Sequence, residues 1–122
     1  MPTGVPGPII ELAPTTLRDR LAAGEPITLL DVRQPDERTF ASIPVPATAG
    51  DLFIPMREVP DRIDSIREAL ERGPVVAYCH HGVRSMNVAQ WLAAQGLEGI
   101  LNLGGGIDAW SIAVDQAVPR YF

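Results

Sequence analysis

Val75-Val76-Ala77-Tyr78-Cys79-His80-His81-Gly82-Val83-Arg84-Ser85 is the stretch on which the fold of this chain turns. Four apolar residues in a row, running into a polar loop, have the pattern of a strand covered on both faces, as parallel strands are. From Ser85 onward Val88, Ala89, Leu92 and Ala93 fall at helical spacing until Gly96, so a helix follows the loop. Upstream, residues 27–32 (ITLLDV) repeat the buried-strand pattern and leave Asp31 and Arg33 at the carboxyl end of that strand. Before it, the short apolar run Ile9, Ile10, Leu12 leads into a helix carrying Leu17 and Leu21, with a hydroxyl cap in Pro14-Thr15-Thr16 and a stop at Gly24. Residues 35–42 allow one or two helical turns, and the prolines and small residues of 44–50 force a loop before Leu52-Phe53-Ile54. Between Arg57 and Leu70 the apolar residues Val59, Ile63, Ile66, Ala69 and Leu70 space as one amphipathic helix ending at Gly73-Pro74. A last strand over 100–103 runs into Gly104-Gly105-Gly106 and a short helix with Ile107 and Trp110.

Strands alternating with helices imply βαβ units, hence a three-layer α/β domain with a central, mostly parallel five-stranded sheet and helices on both faces. The chain's 122 residues suit one core, with residues 9–122 as the domain and the Pro/Gly-rich residues 1–8 as a flexible lead-in. With 46% hydrophobic and 20% charged residues and a mean hydropathy near zero, the composition is that of a globular protein. A net charge of −5 without a Lys/Arg cluster argues against nucleic acid as a partner. No apolar run approaches the length of a membrane span and no export signal opens the sequence, so the expectation is a cytoplasmic protein away from the membrane.

The single cysteine, Cys79, cannot form an internal disulfide or join a Cys-rich zinc site. Ligands of parallel sheets bind beyond the carboxyl ends of the strands, where Asp31, Arg33 and Cys79 all fall. A loop between a strand and a helix N-terminus directs backbone N–H groups at the sulfur, and the helix dipole adds positive potential, an arrangement that favours the thiolate. Gly82 permits the tight turn, and Arg84 offers a planar donor fork for an oxyanion on a substrate or for a carboxylate bracing the loop. Such a site suits nucleophilic attack and storage of an anionic covalent intermediate.

The chain resembles the rhodanese family of sulfurtransferases over roughly residues 28–110. The resemblance is carried by residues 30–37 (LDVRQPDE), by Ile43-Pro44, by residues 75–85, and by residues 103–110 (LGGGIDAW). It implies a single-domain rhodanese in which Cys79 takes sulfane sulfur from thiosulfate or a related donor as a persulfide and passes it to cyanide or a thiol. His80, His81, Gly82, Val83 and Arg84 would then form the substrate-binding cradle, with Arg84 assisting the anionic donor. Asp31, Arg33 and Ser85 would support them from behind. The implied partners are a small sulfur donor, a thiol acceptor and, as a further candidate, a sulfur-carrier protein, with no cofactor. The chain departs from the family pattern at residues 41–46 (ASIPVP), and about five extra residues precede Ile54-Pro55, which puts substrate access or loop rigidity in question.

Plainer readings stand beside these. A lone cysteine after an apolar strand is often a buried spectator, and adjacent histidines rarely face one metal ion, so His80 and His81 read as solvent-facing loop residues with no metal. Asp31 and Arg33 read first as charges that hold the active face, Arg33 with Glu37 as one pairing, and Trp110 as a core anchor. Two alternatives to sulfur transfer stay open: a binding module that recognises a partner without turnover, and, with less weight, a Cys-dependent phosphatase or arsenate reductase. The latter place Arg six positions after Cys, whereas Arg84 follows Cys79 by five.

Overall fold

A computed structural model describes residues 8–122. Five strands, β1 (Ile10–Leu12), β2 (Thr28–Asp31), β3 (Gly50–Phe53), β4 (Val75–Tyr78) and β5 (Ile100–Leu103), form one sheet in the order β1-β5-β4-β2-β3. Every neighbouring pair is parallel, so the sheet expected to be mostly parallel is wholly so. Parallel neighbours need crossover segments. Helices α1 (Pro14–Ala22), α2 (Pro35–Phe40), α3 (Ile63–Leu70) and α4 (Val83–Ala94) lie in these connections, and α5 (Gly106–Ala113) follows β5.

The period-two alternation of the strands divides the core into two. Leu30, Val32, Val75, Ala77 and Cys79 face one cluster with Ile66 and Ala69 of α3 and Val88, Ala89 and Leu92 of α4. Ile27, Leu29, Val76, Tyr78 and Leu103 face the other, with Leu17 and Leu21 of α1 and Ile107 and Trp110 of α5. Trp110 is thus the core anchor its position implied. The lead-in assigned to residues 1–8 falls, up to residue 7, outside the described residues.

Three local expectations are corrected. Helix α1 has Ala13 at its N-cap and no side-chain cap; Pro14 takes the first turn, where its missing N–H costs nothing. The single helix expected over 57–70 is two 3-10 turns, Met56–Glu58 and Pro60–Arg62, followed by α3, because Pro60 has no N–H to continue an α-helical ladder. Helix α4 begins at Val83 rather than Ser85, since Gly82, at φ 96°, reverses the chain immediately before it. Of the departing 41–55 segment, Ala41 and Ile43 are buried with Tyr78 on the α1/α5 side of the sheet, whereas Ile54 lies in the cluster containing Cys79.

At the carboxyl end of β2 the Arg33 guanidinium has no exposed side-chain surface and meets the equally buried Asp31 carboxylate with Nε and Nη2, each at 2.8 Å. The anticipated pairing of Arg33 with the Glu37 side chain is not formed. Arg33 Nη2 instead donates to the Ala41 carbonyl (2.7 Å) and Nη1 to that of Glu37 (3.4 Å), so the buried pair fixes the polypeptide of α2. Burial works against the Arg33 charge, but Asp31 and the Tyr121 hydroxyl outweigh it and the guanidinium stays protonated. Removing one member of a buried pair strands the other. Asp31→Ala should therefore destabilise the fold by about 3–5 kcal/mol in urea denaturation, and a loss under about 1 kcal/mol would contradict this role.

Candidate active site

Cys79 leaves β4, the middle strand of the five, directly into the loop that α4 closes. Its Sγ accepts hydrogen bonds from the Gly82 amide (3.1 Å), the Ser85 amide (3.4 Å) and the Ser85 hydroxyl (3.3 Å). Cys79 is 1% exposed and Ser85 wholly buried. The sulfur borders the aliphatic cluster, and three polar donors converge on it. Of residues 80–84, expected to form the cradle, only the Gly82 amide contacts the bare sulfur; Ser85, expected to support the cradle from behind, touches the sulfur directly instead. The amides of Val83 and Arg84 lie in the first turn of α4, where a helix offers them no acceptor.

Two neighbours hold the loop from behind. Asn102, buried on β5, donates to the Gly82 carbonyl at 3.1 Å and to Glu11 at 3.1 Å. At the start of α5 the amides of Ile107 and Asp108 donate to the carbonyls of Cys79 (2.8 Å) and His80 (3.1 Å). Gly106, with φ 64°, lets that helix approach, because a Cβ there would collide with both carbonyls.

Arg84 faces a carboxylate: its Nη1 and Nη2 donate to Glu37 Oε1 (2.7 Å) and Oε2 (2.8 Å). Of the two uses the sequence allowed this residue, the bracing one is formed. Glu37 also accepts from the Gln34 amide at 3.1 Å and from the Tyr121 hydroxyl at 2.7 Å. The bond from Arg84, against the opposing effect of burial, holds the Glu37 carboxyl at about 2 instead of 4.5. Glu37 in turn raises the Arg84 guanidinium further above its ordinary value. Burial pushes the Tyr121 hydroxyl up to about 12, so it keeps the proton it shares with Glu37.

The two histidines differ. His81 is exposed, as expected, but the His80 ring is stacked between those of His81 and Tyr121, each centroid 3.9 Å away, and is not the solvent-facing side chain anticipated. Burial, followed by the neighbouring His81, lowers the His80 ring below its ordinary value and favours the neutral form. No group of three His, Cys, Asp or Glu side chains capable of holding a metal ion gathers among the described residues. Val83 is 69% exposed beside the loop. Asn102 and Tyr121 were not picked out from the sequence, and Glu37 only as a partner for Arg33. The run Gln34-Pro35-Asp36-Glu37, a capping box at the start of α2, marks Glu37 locally; nothing local marks the other two.

Residues 13–113 match the Rhodanese-like domain family, to which the chain belongs. It is 37% identical over 101 residues to a sulfurtransferase of Allochromatium vinosum, covering 83% of this chain and 87% of that protein. It is 37% identical over 94 residues to a rhodanese-like/PpiC domain-containing protein of Arabidopsis thaliana, covering 76% of this chain but 30% of that longer protein. A human single-domain sulfurtransferase superimposes with a TM-score of 0.69 at 25% identity, covering 84% of this chain and 96% of that one. No helix among the described residues is long and apolar enough to cross a membrane.

The Glu37 shift fixes a pH dependence. A carboxyl lowered by folding stabilises the native state fully above its unfolded value, 4.5, and the contribution is lost as pH falls toward about 2. The stability advantage of the native protein over Glu37→Gln, measured by urea denaturation at successive pH values, should be constant near neutrality and shrink between pH 4.5 and about 2. An advantage independent of pH across that window would be the contrary result.

Proposed function

We propose that the protein is a sulfurtransferase that carries sulfane sulfur on Cys79, with thiosulfate or a related anion as donor and a thiol or cyanide as acceptor. The observation that carries this reading is the convergence of the Gly82 amide, the Ser85 amide and the Ser85 hydroxyl on Sγ. Such donors stabilise an anionic sulfur before and after it gains a second sulfur atom. Sulfurtransferases among its relatives support the choice of chemistry.

The Cys79 thiolate attacks the outer sulfur of thiosulfate. An S–S bond forms at Sγ, the bond between the two donor sulfurs breaks, and sulfite leaves with the electron pair. The product is a Cys79 persulfide anion, whose outer sulfur meets the first-turn amides of Val83 and Arg84. An external thiolate then attacks that outer sulfur, leaves as a persulfide and restores the Cys79 thiolate. These 122 residues hold one cysteine, so no second thiol among them can discharge the intermediate. His80, His81, Gly82 and Val83 shape the entrance, and Arg84, braced by Glu37, presents a positive charge to the donor. A sulfur-carrier protein is the macromolecular acceptor we propose, in the cytoplasm, where a lone thiol stays reduced.

Incubation with thiosulfate followed by intact-mass measurement should add one sulfur atom to the protein and none to Cys79→Ser. Absence of the gain would favour a module that binds without turnover, and phosphate-ester hydrolysis without sulfur uptake would favour the phosphatase chemistry. Ser85→Ala should load about ten- to a hundredfold more slowly, since a hydrogen bond to a charged group is worth about 1.5–3 kcal/mol. An unchanged loading rate would remove the hydroxyl from the mechanism.

A further inference from the structure

We propose that Tyr121 is a positioning residue for the Cys79 loop: by holding Glu37 it fixes the Arg84 guanidinium at the loop mouth and makes the sulfur more reactive toward anionic than neutral reagents. Its bearing on sulfur donors rests on the sulfurtransferase reading, but the charge at the loop mouth can be measured without sulfur transfer.

Tyr121 stands outside residues 13–113, the span that matches the family, yet it touches three parts of the site. Its hydroxyl donates to Glu37 Oε2 at 2.7 Å and accepts from Arg33 Nη1 at 3.1 Å. One oxygen thereby joins the buried Asp31–Arg33 pair to the Glu37–Arg84 pair. Its ring lies parallel to His80, the residue after Cys79, with an interplanar angle of 13°, and meets Phe40 edge-on at 5.7 Å.

The need for such a tie follows from α2. This six-residue helix buries none of its side chains, so packing alone does not fix where Glu37 stands. Polar ties do so: Arg33 to the carbonyls of Glu37 and Ala41, the Gln34 amide to Oε1, and Tyr121 to Oε2. Without the phenol hydroxyl, Oε2 keeps the Arg84 bond alone, and the carboxylate and guanidinium can shift together. Arg84 stands in the first turn of α4, next to Ser85, whose amide touches Sγ, so displacing its charge alters the potential at the sulfur.

Alkylation of Cys79, the chain's one cysteine, by iodoacetate and iodoacetamide reads this potential, because the reagents differ chiefly in charge. In Tyr121→Phe, which keeps the ring, the iodoacetate-to-iodoacetamide rate ratio should fall by about threefold to tenfold toward that of Arg84→Gln, the effect of displacing one charge at a part-exposed site. Compared at a pH where the thiol is fully ionised, the iodoacetamide rate should stay within about twofold, because a neutral reagent does not feel the displaced charge. In a Glu37→Gln background the same Tyr121 substitution should produce no further fall. An unchanged ratio, an equal fall in both rates, or an additive effect on top of Glu37→Gln would each overturn the proposal. A native protein that gains no mass from thiosulfate while its alkylation ratio follows Tyr121 would instead overturn the sulfurtransferase reading and leave the positioning role intact.

Discussion

Three donors point at one sulfur atom, and the surrounding architecture is arranged to keep them there. The Gly82 amide, the Ser85 amide and the Ser85 hydroxyl reach Cys79 Sγ because β4 ends at the sulfur and α4 begins at Val83. Buried amides and hydroxyls need acceptors, and these three find theirs in the sulfur. Gly82 makes this possible with a left-handed backbone, and Asn102 fixes its carbonyl from the neighbouring strand. The amides at the start of α5 fix the carbonyls of Cys79 and His80, which leaves the loop little freedom to turn its donors away.

A second set of charges surrounds this one. The Asp31–Arg33 pair at the end of β2 is out of solvent and grips the carbonyls of α2, a helix with no buried side chain of its own. Through α2 the pair sets the place of Glu37, and Glu37 takes both terminal nitrogens of Arg84. Charges from one strand end and two helices thus form a connected path from the core to the mouth of the loop. Each link is satisfied by the next, the condition under which buried ion pairs keep a structure specific.

The parallel sheet was legible in the sequence because residues 27–32, 75–78 and 100–103 are short apolar runs that only doubly covered strands tolerate. The end of the sheet that carries the candidate site is legible for a related reason: Cys79, Asp31 and Arg33 directly follow or close such runs. Helix beginnings were less so. Gly82 reads as a loop glycine, whereas its positive φ makes it the N-cap of α4, and Pro60 breaks a helix whose apolar spacing is continuous. The partner of Arg84 lies 47 residues away and Tyr121 lies 84 from Glu37, so neither contact leaves a periodic trace in the chain. The partial cover of His80 leaves no local trace for the same reason, since one of the rings stacked on it belongs to Tyr121.

A crystal structure of the protein after exposure to thiosulfate would examine the sulfur and its donors together. The expected result is one additional sulfur atom bonded to Cys79 Sγ and enclosed by the amides of the loop and the first turn of α4, with Ser85 still in contact. An unmodified Cys79 at full occupancy, or an added atom directed into the aliphatic cluster away from those amides, would contradict the account.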